Sequence, residues 1–228
     1  MKPTERRIVQ VLLRDCGRTF AGELGIDLKT GGASSLFRLL CASLLFSTRI
    51  SHSIALKAAG SVFARGWTTP QKMAASTWEQ RVRALDEAGY VRYDERTATR
   101  LGEAAQLSLD LYQGDLGKLR ADAGYRPDRE RKLLKEFNGI GDVAVNIFFR
   151  EAQVAWPELF PFADAKAVES ANKLGLNADP KSLAALVNTR NEFARLMAAL
   201  VRVQLNHKHD GIIEAASGRA FSPPGVSG

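Results

Sequence analysis

Apolar residues recur along this chain at intervals of three and four, and almost nowhere in strict alternation. Such spacing predicts amphipathic helices, while the alternating β-branched runs that mark strands are nearly absent. The stretch LFRLLCASLLFSTRI, 36–50, is apolar around most of a helix's circumference. That pattern predicts a helix at the centre of a bundle, capped by Ser34 or Ser35. Thr69-Pro70 offers an N-cap followed by proline at the first helical position. Ser76 and Glu79 have capping-box spacing ahead of RVRALDEAG, which Gly89 ends. Asp94 begins ERTATRLGEAAQLSLDLY, Gly114-Asp115 turns the chain, and Pro127 opens DRERKLLKEF. Asp164 caps AKAVESANKL, which Gly175 ends; Asp179-Pro180 opens a short helix, and a last one covers about 190–206. From Ala216 the tail (SGRAFSPPGVSG) is expected to be disordered. No internal repeat or low-complexity linker interrupts the series, so the prediction is an all-α protein.

Between two of these helices lies LLKEFNGIGDVAVNIFFRE, 133–151, with Gly139 and Gly141 on either side of Ile140. One glycine suffices to cap a helix and turn a corner. Two around an aliphatic residue predict a turn that brings backbone close to something, with Ile140 packed between the two arms to stiffen it. The first turn of the second arm exposes unpaired amides at the positive end of a helix, a place where phosphate binds once no Cβ holds an oxygen away. A tight interhelical turn with no ligand has the same pattern, and the motif alone does not separate the two.

Composition narrows the classes. The chain has 228 residues, 45% of them hydrophobic, enough for one large or two small domains with a real core. No run approaches the roughly 18 consecutive apolar residues of a membrane span. The opening MKPTERRIVQVLLRD is charged where a secretory signal is apolar, and Cys16 and Cys41 form no metal-ligand or disulfide framework. Together these place the protein in a reducing cytoplasm, as an expectation. The net charge of +7 favours a polyanionic partner.

Downstream of the glycine pair comes WPELFPFADAKAVESANKLGL, 156–176. Asp164 stands at the start of a helix, where most aspartates are simply caps. A carboxylate there, at the edge of an apolar segment, is also placed to stabilise a cationic transition state and to activate water.

FNGIGDVAVNIFF followed by PFADAKAVESANKLGL resembles the helix-hairpin-helix and Gly/Pro-rich-loop-and-aspartate signature of DNA glycosylases of the endonuclease III and 3-methyladenine DNA glycosylase type. The similarity extends upstream through LFRLLCASLLFSTRISHSIALKAAGSVF and the helices of 68–116, covering about 30–206. The resemblance implies a two-lobed all-helical fold: an N-terminal segment 1–33 packing on the second lobe, a six-helix-type lobe 34–125, a hairpin-and-aspartate lobe 126–215, and a tail 216–228. It implies a monomer that binds duplex DNA carrying a damaged or mispaired base, flips that base out, and hydrolyses its glycosidic bond. Asp164 takes the catalytic place. Gly139, Ile140, Gly141, Val143 and Lys166 fall where relatives hold the DNA backbone, and Thr48 and Arg49 where they fill the gap left by the flipped base. Trp156, Phe160 and Phe162, ahead of the aspartate, are candidates to stack on that base.

The departures from the family pattern shape the reaction. Members that also cut the backbone carry a lysine two residues after the second glycine; here that position is Val143, and no Schiff base forms without an amine. The C-terminal region VRVQLNHKHDGIIEAASG lacks the four cysteines that bind an iron–sulfur cluster in many relatives, so no cofactor is expected. His207, His209 and Asp210 read as a polar helix end, and no metal is expected. Asp142 puts a negative charge beside the phosphate site unless it points away. The expectation is a monofunctional, cytoplasmic and nucleoid-associated DNA glycosylase. The alternatives are a non-catalytic DNA-binding relative, and a bifunctional glycosylase/lyase using a relocated amine, Lys166 or Lys135.

Overall fold

A computed structural model describes residues 3–218. Among these residues every regular element is helical. In chain order the α-helices are α1 (Pro3–Asp15), α2 (Phe20–Glu23), α3 (Ala33–Phe46), α4 (His52–Ala64), α5 (Pro70–Ala74), α6 (Trp78–Glu87) and α7 (Asp94–Tyr112). They continue as α8 (Leu116–Asp122), α9 (Pro127–Leu134), α10 (Asp142–Ala152), a 3-10 turn (Pro157–Leu159), α11 (Ala165–Lys173), α12 (Pro180–Ala184), α13 (Arg190–Leu205) and α14 (His209–Ser217). No described helix is long and apolar enough to cross a membrane.

Local caps explain most of the boundaries. Thr69, Asp115, Asp164 and Asp179 each accept a backbone N–H of the helix they open, and Pro70, Pro127 and Pro180 sit in first turns, where a missing N–H costs nothing. Two expected caps are displaced. The capping box is formed by Thr77 and Gln80 instead of Ser76 and Glu79. The Ser76 hydroxyl instead donates to the Met73 carbonyl, and Arg81 donates to the Ser76 carbonyl and hydroxyl. Helix α3 begins at Ala33 with Gly32 as its uncapped N-cap, because the Ser34 hydroxyl donates to the Thr68 carbonyl.

The described chain divides into two compact units, 20–160 and the pair of segments 3–19 and 161–218. In the first, α3 is the central helix, packing against α4, α7, α8 and α10. Its Phe37, Cys41 and Leu45 meet Ala58, Ala59 and Val62 of α4, Met73, Leu85, Tyr90 and Leu101 in one core. Burial pushes the Cys41 thiol above its ordinary range. In the second unit α13 is central, buried along most of its length and packed on α11, α12 and α1, while α1 also packs on α14.

Along the chain these units divide at 19/20 and 160/161. The glycine turn belongs with α3–α8 because α10 lies against α3. Residues 20–33 join the same unit, and the buried Glu151 of α10 accepts the Phe20 and Ala21 amides that open α2. Of the tail expected from Ala216, Ala216 and Ser217 belong to α14, with Ala216 buried and Gly218 as its C-cap, and the rest, from 219, lies outside the described residues.

Candidate functional site

The glycine turn joins α9 to α10. Its first arm is anchored by Phe137, buried and stacked on Tyr112 with ring centroids 6.2 Å apart. Ile140 is buried between half-buried Gly139 and exposed Gly141, and its amide donates to the Phe137 carbonyl at 2.9 Å, which closes the turn. The two glycines have different reasons to be there. Gly139 has φ +87°, and a Cβ on it would sit 2.7 Å from Arg100 Cδ and 2.8 Å from Arg100 Nε. Glycine is needed there for the backbone and for the Arg100 stem laid across it. Gly141 has an ordinary extended backbone, and a Cβ on it would meet nothing within 4 Å. Only Gly141, therefore, keeps open space above the helix terminus.

Gly141 is the N-cap of α10, with no side chain capping the helix. The amides of Gly141, Asp142 and Val143 have no acceptor among the described residues, and all three residues are exposed. Val143 is 58% exposed, an aliphatic side chain in the first turn of α10. The Asp142 carboxylate does not cap these amides. Lys135 Nζ holds it at 3.0 Å and Arg131 stands 3.5 Å away, and the Lys135 ammonium keeps its carboxyl below the usual range. The charge that looked unfavourable in sequence is thus matched by two cations of the first arm. Arg100, together with Arg96 one turn before it on α7, adds further positive charge; burial, then its neighbour Arg96, lowers its ordinary value. Arg100 was not evident in the sequence, being 39 residues from Gly139, and only the packing of α7 brings it there.

Asp164 lies in the other unit, buried (7% exposed), as the N-cap of α11. Its Oδ1 accepts the Ala167 amide at 3.0 Å. Lys166, in the first turn of α11, is exposed. Phe162 and Phe160 are half-buried, on either side of the boundary between the units. Trp156 is a core residue, 1% exposed and edge-on to Phe148 at 5.3 Å, so no face of its ring is open to a stacked base. Thr48 follows the Ser47 C-cap of α3, its hydroxyl donating to the Leu45 carbonyl and meeting the Tyr90 hydroxyl, which leaves Arg49 as the exposed member of that pair. His207 stands in the turn before α14, and His209 opens α14 with Nε2 3.1 Å from the Ser170 hydroxyl. No group of three or more His, Cys, Asp or Glu among the described residues is placed to hold a metal ion.

No family model matches this chain, and no curated protein matches it. Among solved structures it is similar to a trapped endonuclease III–DNA covalent intermediate in its estranged-adenine complex. That likeness has 19% sequence identity and a TM-score of 0.47, over 74% of this chain and 73% of the other.

Proposed function

We propose that this protein is a DNA N-glycosylase of base-excision repair, a cytoplasmic, nucleoid-associated monomer that releases a damaged or mispaired base from duplex DNA. The observation that carries the reading is the uncapped, exposed start of α10, where the Gly141, Asp142 and Val143 amides have no acceptor among the described residues. Backbone amides at a helix N-terminus take a phosphate oxygen without reading sequence, which suits an enzyme that must sample any duplex. Arg100, Arg131 and Lys135 around the turn add the charge that draws DNA in by counterion release.

The chemistry falls to Asp164. Flipping exposes the glycosidic bond, and departure of the base leaves positive charge on the sugar. A carboxylate stabilises that charge and orients water for attack on the anomeric carbon. Val143 supplies no amine, so the product is an intact strand with an abasic site. Lys135, the other amine near the turn, is engaged by Asp142.

A second reading, a non-catalytic DNA-binding protein, draws on Asp164 being buried and serving α11 as its cap. Single-turnover assays on duplexes bearing one methylated purine, uracil or thymine opposite guanine, oxidised pyrimidine or 8-oxoguanine separate the readings. Strand cleavage only after hot alkali, lost in Asp164→Asn, is the expected result. Cleavage without alkali points to a relocated lysine, and tight binding with no cleavage on any duplex points to the non-catalytic protein.

A further inference from the structure

Glu130, on α9, is fully buried, and neither of its carboxyl oxygens has a hydrogen-bond partner among the described residues. An ionised carboxylate in that situation is among the least favourable groups a fold can carry, and such groups normally neutralise themselves. The charged groups that act on it are Glu158 from the 3-10 turn, Arg120 from α8 and Asp128 from α9 itself. On α10 the charged side chains are engaged elsewhere, Asp142 with Lys135 and Arg131, and Arg150 beside Glu151. Arg120 forks onto Glu158, its Nε to Oε1 and its Nη2 to Oε2 at 2.6 Å, while lying 4.9 Å from the Tyr125 ring centroid. Its charge is thereby committed to Glu158. Two ionised carboxylates only accept, whereas one that keeps its proton donates to the other.

We propose that Glu130 and Glu158 share a single proton in the folded protein, with Glu130 donating to the Glu158 carboxylate that Arg120 clamps, and that this proton fastens α9 to α8 and the Pro157–Leu159 turn. It gives one orphan oxygen a partner, since the donor is Glu130 itself, and it removes the charge from the other. Because α9 is the first arm of the glycine turn, the latch sets how firmly that turn is held.

Burial, followed by the neighbouring Glu158 carboxylate, pushes Glu130 up to about 8. Burial also works to raise Glu158, but the Arg120 guanidinium holds it below its ordinary value. Between the ordinary value of 4.5 and about 8, the folded chain keeps a proton that the unfolded chain has released. Stability from this pair is therefore complete below that window, declines through it as pH rises, and stays lost above it.

The test is a carbon-13 NMR titration of the glutamate side-chain carboxyls in the full chain, beside Glu130→Gln, whose neutral amide also donates to Glu158. One glutamate in the wild type is expected to titrate near pH 8 and to be missing from the variant. Amide exchange in α9 is expected to match the variant at pH 6 and to exceed it at pH 9. If all glutamates titrate below pH 6, or α9 exchanges alike in both proteins at both pH values, the shared proton is overturned. The wild-type titration decides the matter by itself should Glu130→Gln not fold. No DNA enters the measurement, so its outcome is independent of the glycosylase reading.

Discussion

Placing an alanine at Gly139 and, separately, at Gly141 tests what each glycine is for. At Gly139 the backbone is left-handed, which costs an L-residue about 1–2 kcal/mol. The added methyl would also lie 2.7 Å from Arg100 Cδ. Moving that stem costs about 1–3 kcal/mol as overpacking. The stiffer unfolded chain returns about 0.4–1 kcal/mol. The net loss is about 1–5 kcal/mol, a fall in Tm of roughly 2–20 °C for a chain of this size. At Gly141 the backbone is extended and the methyl meets nothing. There an N-cap preference against alanine of about 1 kcal/mol is largely offset by about 0.4–1 kcal/mol from the unfolded state. Stability should stay within about 0.5 kcal/mol of wild type, but the methyl occupies the space above the open amides. Losing one amide–phosphate bond of about 1.5–3 kcal/mol weakens duplex binding about tenfold to a hundredfold. Urea unfolding and fluorescence anisotropy on a labelled abasic duplex read the two quantities separately. Wild-type affinity in a folded Gly141→Ala protein would refute the phosphate assignment. Wild-type stability in Gly139→Ala would refute the account of the Arg100 contact.

Asparagine caps as well as aspartate, so Asp164→Asn should keep stability within about 0.5 kcal/mol while Asp164→Ala loses about 1 kcal/mol, and both should abolish base release in single-turnover assays. Glu151→Ala strands the buried Phe20 and Ala21 amides and should cost about 2–4 kcal/mol in urea unfolding. Tyr90→Phe loses the bonds to the Leu45 carbonyl and the Thr48 hydroxyl and should cost about 1–2 kcal/mol by the same measurement. Asp142→Asn removes the negative charge beside the open amides and frees Lys135, so duplex affinity should rise at low salt and converge on wild type as salt screens the difference.

Features built from neighbours in sequence were legible before the structure. The helical period identified α3 as a buried central helix, and the cap at Thr69, the cap at Asp164 and the ends at Gly89 and Gly175 depend on contacts a few residues long. Gly139-Ile140-Gly141 was likewise visible as a turn between helices, because both helical faces and both glycines lie within one short segment. What failed was decided by distant partners. Helix α14 was not evident because its buried apolar face is only Ile212 and Ala216, too little for a period, and it is held by packing on α1. The stretch Ser76-Thr77-Trp78-Glu79-Gln80 contains two capping boxes one residue apart, and Arg81, bonded also to the Ala98 carbonyl, takes Ser76 and leaves Thr77 to cap. Arg100 over Gly139, the cations matched to Asp142, and Glu130 enclosed with Glu158 and Arg120 belong to the same class. Periodicity and caps are short-range and read along the chain; charge compensation and burial are sums over whatever the fold brings near, and only the packed helices supply those terms.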